Sequence, residues 1–311
     1  MYDVIAIVAP VFGLIALGYL LAVTGLLSEA AAKGLTDFVF IVAVPALLFR
    51  MMATVSAPEV SPIGIWVSYF GASAVVWVAA MALTAFVLKR PARDAASIAM
   101  GGAFGNIVML GIPLALDRFG DAAATPIALI VSISSPLLWF AATLHIEMAS
   151  QRDGTSWVRM LRELVVSLLR NPIILGVLAG TAWRLTGLGI HPIPDKMITL
   201  LSQAAVPTAL VALGLSLTAF EIRGQVATTA VICILSVVLM PAVAWVLAAK
   251  VFGLPPVWTG VAVLLAACPT GANAFLFASR YNAVTGSVSG AVAIATALSV
   301  VTISLMLLVL G

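Results

Sequence analysis

Long apolar runs alternate with short polar connections along the whole chain. A helix needs about 20 apolar residues to cross a bilayer core, so each such run predicts one transmembrane helix. We find ten of them, numbered here as spans 1 to 10: residues 4–26, 35–55, 63–88, 95–116, 122–148, 172–188, 197–220, 226–252, 256–277 and 284–310. The pattern therefore predicts an all-α integral membrane protein.

Residues 151–170, between spans 5 and 6, form the long polar connection of the chain. Its apolar residues, from Trp157 to Leu169, recur at helical spacing with charged residues between them. This pattern predicts an amphipathic helix on the membrane surface, whose simplest role is a cytoplasmic tether. The linker divides the chain into five spans in residues 1–150 and five in residues 171–311.

Composition supports the membrane assignment. Hydrophobic residues make up 63% of the chain and charged residues 9%, whereas a soluble domain has about 25% charged residues. The net charge of +3 is spread between apolar spans, so we expect no nucleic-acid partner. Cys233 and Cys268 both lie within apolar spans and predict packing residues, not a disulfide or a metal site. We expect no cofactor, no metal and no cleavable signal.

The distribution of basic residues predicts the orientation. Cytoplasmic loops carry an excess of Lys and Arg. An external N-terminus places ten basic residues in the cytoplasm: Lys33, Lys89, Arg90, Arg93, Arg152, Arg159, Arg162, Arg170, Arg223 and Arg280. It leaves five outside: Arg50, Arg118, Arg184, Lys196 and Lys250. Both termini are therefore expected outside.

An internal repeat becomes visible when the sequence is shifted by 162 residues. Pro10 then meets Pro172 and Gly18 meets Gly180. The next span continues the same register, because Ala43-Val44-Pro45 meets Ala205-Val206-Pro207. Each half contains an odd number of spans, so the two halves would face the membrane in opposite senses. This is the inverted-repeat design of secondary transporters.

Two spans contain residues that disfavour a continuous helix. Residues 101–113 of span 4 include four glycines, Asn106 and Pro113. Glycine costs about 1 kcal/mol and proline about 3 kcal/mol in a helix interior. Span 9 has a counterpart, Cys268-Pro269-Thr270-Gly271-Ala272-Asn273, with Asn273 matching Asn106.

Unwound backbone at membrane depth is tolerated where it is buried in protein or lines a cavity. A matched pair of interrupted spans is the sequence pattern of a transport site. The alternative is that the glycines only allow close helix packing and the prolines only kink the helices.

These motifs resemble the auxin efflux carrier family, which includes plant PIN carriers and bacterial organic-acid permeases. The resemblance extends over nearly the whole chain. The motifs that carry the resemblance most specifically are residues 44–49 in span 2, Gly105-Asn106 with residues 111–114 in span 4, and Pro269-Thr270-Gly271 with residues 277–282 in and after span 9. Plant PIN carriers have proline at the positions of Gly105 and Ala274, so a softer interruption is expected here. The long cytoplasmic loop of many plant members is absent, so auxin itself is not implied.

The resemblance implies ten helices in two inverted repeats of five, with the broken fourth and ninth helices crossing. It implies a scaffold of spans 1, 2, 6 and 7, through which such carriers form homodimers, and a mobile transport domain of spans 3–5 and 8–10. It also implies a secondary transporter of small organic anions, such as carboxylates or auxin-like acids, in the bacterial inner membrane. The expected partners are the anion, membrane lipid and a second copy of the chain.

The candidate substrate site is the crossover. The amides of Asn106 and Asn273, beside Gly105, could bind a carboxylate, helped by the positive ends of the half-helix dipoles. Thr270 could add a hydroxyl. Ser134 matches a polar site position of the PIN pattern, although a bond to its own helix backbone explains it equally well. Pro45 and Pro207 are expected to shape the scaffold wall facing the site, or simply to kink their helices.

Ionisable groups inside spans are functional candidates by default. Asp37 could carry a proton, or could pair with Lys33 one turn earlier. Arg50 and Arg184 could attract anions, or could extend to the membrane interface.

Other function classes fit the sequence less well. It has no nucleophile elbow, zinc-protease motif or phosphate-binding glycine loop, so we expect no enzyme. A sodium/proton antiporter or a sodium-coupled bile-acid-type symporter would need acidic residues at the crossover, and spans 4 and 9 contain none. Coupling through Asp37 and a non-transporting membrane receptor both stay open.

Overall fold

Helices follow the apolar runs in the computed structural model, which describes residues 2–55, 60–149, 157–222 and 224–309. Within these ranges the chain is helical, and the strand-like pairing found there is one isolated bridge between Gly105 and Thr270. Residues 151–156 of the predicted linker, with Arg152, and also Arg223 lie outside the described residues.

The helices are numbered here in chain order. They are α1 Tyr2–Val23, α2 Glu29–Thr54, α3 Pro62–Val87, α4 Ala92–Ala103, α5 107–119, α6 Ala124–Ala149, α7 Trp157–Arg170, α8 Pro172–Thr186, α9 Pro192–Ala219, α10 Val226–Val251, α11 Pro256–Ala266, α12 Ala272–Tyr281 and α13 Thr285–Val309. The prediction of an all-α membrane protein is confirmed in this form.

Fewer helices than ten are individually long enough to cross a membrane. Among the described residues seven apolar helices have that length, and the bent pair α7–α8 gives an eighth. The difference arises because spans 4 and 9 are each divided into short pieces: α4 has 12 residues, α11 has 11 and α12 has 10. The count of seven membrane-spanning helices also treats α5 and α6 as one continuous helix, although Gly120 turns the chain between them with a φ of 56°.

Three prolines inside the long helices each follow a wide π turn. A proline lacks the N–H that would continue the helical hydrogen bonds, and a π turn accommodates the missing donor. The turns end two residues before Pro45, Pro113 and Pro241, at Val39–Ala43, Ile107–Gly111 and Leu235–Leu239. Pro207 lies within a regular part of α9 without such a turn. The two prolines that the repeat aligns therefore shape their helices differently.

Close packing joins α1 to α9 and α8 to α2. Gly18 of α1 lies directly against the carbonyl of Val211, and Gly180 of α8 lies directly against the carbonyl of Phe49. Shifting Gly18 and Phe49 by the 162 residues of the sequence repeat gives Gly180 and Val211. The two contacts are therefore equivalent under the repeat, and each is possible because glycine has no side chain.

Helix α4 packs between α3 and α10 through two further glycines. A Cβ on Gly101 would lie 2.8 Å from Ile232 Cγ2, and one on Gly102 would lie 2.9 Å from Val76 Cγ1. At the start of α4, Arg90 Nε donates to Asp94 Oδ2 over 2.8 Å. The two glycine contacts hold the first half of span 4 against its neighbours, while the Arg90–Asp94 pair lies at the start of α4.

Several charged residues near helix ends have protein partners. Arg50 Nε lies 3.1 Å from Asp195 Oδ1, so this residue joins α2 to α9, a role that neither sequence interpretation of Arg50 included. Arg184 donates to the carbonyl of Val55 over 3.3 Å. Lys33 and Asp37, by contrast, form no ion pair among the described residues.

Replacing Gly180 by leucine should destabilise the protein. The new side chain would collide with the backbone of α2, and overpacking of this kind costs about 1 to 3 kcal/mol. Gly13→Leu is the matched control, because no atom lies within 4 Å of a Cβ there. Thermal unfolding in detergent should show a lower midpoint for Gly180→Leu than for Gly13→Leu. Equal midpoints would contradict the packing described for α8 and α2.

Candidate functional site

Spans 4 and 9 are both interrupted near their middle. Helix α4 ends at Ala103 and α5 begins at Ile107, while α11 ends at Ala266 and α12 begins at Ala272. The interruption at Gly105-Asn106 is present although glycine stands where PIN carriers have proline.

The two interruptions bind each other through reciprocal backbone hydrogen bonds. The N–H of Asn106 donates to the carbonyl of Pro269 over 2.8 Å, and the N–H of Gly271 donates to the carbonyl of Phe104 over 2.8 Å. Buried backbone groups need such partners, particularly at membrane depth. Each break therefore satisfies the other, in an antiparallel pair centred on Gly105 and Thr270.

Glycine fits this contact because the two backbones approach closely. A Cβ on Gly105 would lie 2.9 Å from the carbonyl oxygen of Cys268. A Cβ on Gly271 would lie 3.2 Å from the carbonyl oxygen of Phe104. Neither glycine has a positive φ, so space and not backbone conformation selects the residue.

Thr270 has a structural position in the crossover. Its side chain is buried, and its Oγ1 donates to the carbonyl of Gly101 over 2.9 Å. That carbonyl belongs to the last turn of α4, where helical donors run out. Thr270 therefore caps α4 and is not among the residues that line the adjacent cavity.

The two asparagines occupy different positions on their half-helices. Asn106 is the N-cap of α5, and its Oδ1 accepts from the N–H of Met109 over 3.4 Å. The N-cap of α12 is Gly271, so Asn273 lies two residues further along its helix. The equivalence that the sequence predicted between the two side chains is therefore only approximate.

A cavity of about 650 Å³ lies beside the crossover. Its wall is largely apolar, with Phe40, Phe104, Trp139 and Leu276 as large side chains. The polar and charged residues that line it are Thr36, Asp37, Asn106, Ser135, Ser167, Arg170, Asn171, Ser216 and Asn273. An apolar cavity with a few placed polar groups is the usual form of a small-molecule site.

Unused hydrogen-bond donors face the cavity at its crossover end. Helices α5 and α12 both begin there, and the N–H groups of Val108, Ala272 and Asn273 have no protein acceptor in the described ranges. The amide nitrogens of Asn106 and Asn273 also lack a partner in that part of the chain. Converging donors at two helix N-termini favour an anion.

The predicted site residues divide into those that line the cavity and those that do not. Gly105, Asn106, Asn273 and Asp37 line it. Ser134 does not: it is buried and its Oγ donates to the carbonyl of Val131 over 3.2 Å, while the neighbouring Ser135 lines the cavity.

The two predicted prolines also lie outside the lining. Pro45 packs its backbone against Gly176 of α8, and Phe40 and Ile41 from the preceding π turn line the cavity in its place. Pro207 is exposed on α9.

Sequence reasoning missed the lining residues from the end of α7. Ser167, Arg170 and Asn171 line the same cavity as the crossover residues. The sequence feature that could have located them is the end of the amphipathic run at Arg170, immediately before Asn171-Pro172. That feature by itself suggested only a tether.

Broken apolar helices that meet beside an apolar cavity with a few polar groups are typical of membrane transport proteins. Comparison with known proteins agrees. The chain belongs to the membrane transport protein family, whose model matches residues 3–307. This confirms the resemblance to the auxin efflux carriers. The chain is also 29% identical over 308 residues to a protein of Rhizobium meliloti (strain 1021) named "Putative malonate transporter", with 98% of this chain and 95% of that protein covered.

Thr270→Val should destabilise the crossover. The change leaves the Gly101 carbonyl without its donor, and such a loss costs about 1 to 3 kcal/mol. Thr270→Ser should retain stability because the hydroxyl remains. Thr296→Val is the control, since that hydroxyl donates to Val292 within a regular helix. Thermal unfolding should rank Thr270→Val lowest of the three, whereas a midpoint equal to that of Thr296→Val would contradict the capping role.

Proposed function

We propose that the protein is a secondary transporter of small organic anions, which binds a carboxylate of its substrate at the crossover. The observation that carries this proposal is the set of unused donors: two half-helix N-termini and the amides of Asn106 and Asn273 converge on one cavity. Hydrogen bonds to a charged group contribute about 1.5 to 3 kcal/mol each, so a few of them suffice for selective binding.

The substrate class has independent support. A relative that aligns over nearly the whole chain carries malonate in its name. Malonate is a small carboxylate, which is the kind of ligand that the crossover donors favour. We therefore take malonate as the first probe of transport.

The proposed architecture is ten spans in two inverted repeats of five. It is supported by the equivalent contacts of Gly18 with Val211 and of Gly180 with Phe49, and by the two interruptions that pair with each other. In this arrangement α1, α2, α8 and α9 form the scaffold. The other spans form the transport domain, which carries the crossover past the scaffold during alternating access.

The cavity reaches the scaffold through Thr36, Asp37 and Ser216, near the start of α2 and the end of α9. The excess of basic residues favours a cytoplasmic position for these helix ends. The structure would then be an inward-facing state, with both termini outside the bacterial inner membrane. We further propose a homodimer formed through the scaffold, as in the carriers that the sequence resembles, with lipid around it.

Proton coupling is a second candidate property, favoured by the position of Asp37. Asp37 is one of the residues that line the cavity, and it has no ion-pair partner in the part of the chain that the structure describes. A sodium-coupled mechanism of the bile-acid type has less support, because the residues from the crossover that line the cavity include no acid. A non-transporting receptor would bind the same anions without moving them, and flux measurements separate the two.

Removing the crossover amides should abolish most transport. We expect Asn273→Ala and Asn106→Ser to lower malonate uptake into proteoliposomes about tenfold or more, the effect of losing one hydrogen bond to a charged group. Serine at 106 is chosen because it still caps α5 while it removes the amide donors.

Asn282→Gly is the matched control for these variants. Asn282 ends α12 with a φ of 50°, a conformation that glycine adopts freely, and it is not among the residues that line the cavity. Uptake by this variant should equal that of the wild type. Wild-type uptake by both crossover variants would contradict the assignment of the substrate site to the crossover.

Transport by the Asp37→Asn variant should distinguish proton-coupled transport from uniport. If Asp37 carries the proton, uptake driven by a pH gradient should fall to the rate seen without a gradient, while counterflow of malonate across the membrane continues. Lys33→Gln, one turn earlier on α2, should leave both rates unchanged. Gradient-driven uptake that survives in Asp37→Asn would exclude Asp37 as the carrier.

A further inference from the structure

Helix α7 ends beside the cavity, at a sharp bend in the chain. Helices α7 and α8 meet at an angle of 64° on either side of Asn171. Pro172 disfavours a helical conformation of the residue before it, so α7 ends at Arg170. Asn171 Oδ1 then accepts from the N–H of Ile173 over 2.9 Å and caps α8. The sequence Arg-Asn-Pro therefore fixes where Arg170 lies.

Arg170 brings a positive charge to a cavity with few charges. Asp37 and Arg170 are the charged residues among those that line it. They form no ion pair with each other, and Arg170 has no hydrogen-bond partner in the described ranges. The guanidinium therefore retains its donors, whose planar arrangement matches the two oxygens of a carboxylate.

The cavity thus has two separate groups that favour anions. The first is the crossover, with its helix N-termini and amides, and the second is Arg170, contributed by α7 and not by either crossover half. An apolar wall that includes Trp139 and Leu276 lies beside them. A ligand with a carboxylate at each end and a short apolar middle complements this arrangement better than a monocarboxylate does.

We propose that Arg170 binds the second carboxylate of the substrate, so that the transporter selects small dicarboxylates. This proposal rests on the anion-carrier function above. It makes α7 a substrate-binding element as well as a connection between the two halves. Arg170 is then a specificity-determining residue, while the crossover binds the carboxylate that all substrates share.

A structural role for Arg170 would predict a different result. A cation in the last turn of a helix interacts favourably with the helix dipole, whatever the substrate. Loss of that interaction would affect all substrates alike. If Arg170 binds the second carboxylate, its loss weakens binding of a dicarboxylate but not of a monocarboxylate. The preference for dicarboxylates over monocarboxylates therefore distinguishes the two roles, whereas overall activity does not.

The test compares two inhibitors that differ in that charge. Malonate and its monomethyl ester compete with radiolabelled malonate for uptake into proteoliposomes, and the ratio of their inhibition constants measures selectivity. The proteins are wild type, Arg170→Gln, Arg170→Lys and Arg162→Gln. Arg162 lies on the same helix, is exposed and is absent from the cavity lining, so it is the matched control.

We expect the wild type and Arg162→Gln to prefer malonate about tenfold or more, as loss of a charge-assisted hydrogen bond implies. Arg170→Gln should reduce the preference to about twofold or less, with inhibition by the ester unchanged, and Arg170→Lys should be intermediate. Three results would overturn the proposal: an unchanged ratio in Arg170→Gln, equal weakening of both inhibitors in that variant, or a wild-type ratio near one. Each of these results would leave the proposed transport of carboxylates intact. If the wild type accumulates no labelled carboxylate, the carrier function itself fails.

Discussion

The pair of backbone hydrogen bonds between Asn106 and Pro269 and between Gly271 and Phe104 is the constraint on which the site depends. An unsatisfied backbone group in hydrocarbon costs several kcal/mol, so each break at this depth is stabilised by a partner for its backbone groups. The two breaks are stable because each supplies the donor and acceptor that the other lacks. Glycine at positions 105 and 271 allows the backbones to come close enough for these bonds.

This pairing also explains why the site favours anions. Two helices that begin at one point direct their first N–H groups toward it, and their dipoles add there. The carbonyls that could offset this charge are partly used: Thr270 occupies that of Gly101, and Pro269 and Phe104 accept across the crossover. What faces the cavity is therefore an excess of donors. Close contacts such as that of Gly180 with Phe49 join α8 to α2, two of the helices in the proposed scaffold.

Much of this arrangement could be predicted from the sequence, because helix breaking is a local property. Glycine and proline within apolar spans located both interruptions, and their repetition linked them. Which side chains face the cavity could not be predicted in the same way. Neighbouring helical residues point about 100° apart, so the choice between Ser134 and Ser135 depends on how α6 is rotated against its neighbours.

Thr270 and Arg170 illustrate the same limit in opposite directions. The hydroxyl of Thr270 looked available to a substrate, but it caps a helix 169 positions away in the chain. Arg170 looked like a surface residue of a tether, but it ends α7 at the bend before α8 and is one of the residues that line the cavity. The partner of Thr270 comes from the other half of the chain, and no local pattern records it. For Arg170 the local Asn171-Pro172 sequence marks the bend, but which cavity lies beside that bend depends on residues distant in the chain.

The most direct test of the account is a structure of the protein determined with saturating malonate. The account predicts ligand density at the crossover, with one carboxylate within hydrogen-bond distance of the side chains of Asn106 and Asn273 and of the first N–H groups of α12. Malonate bound elsewhere in the protein, with the crossover donors left without a ligand, would contradict it.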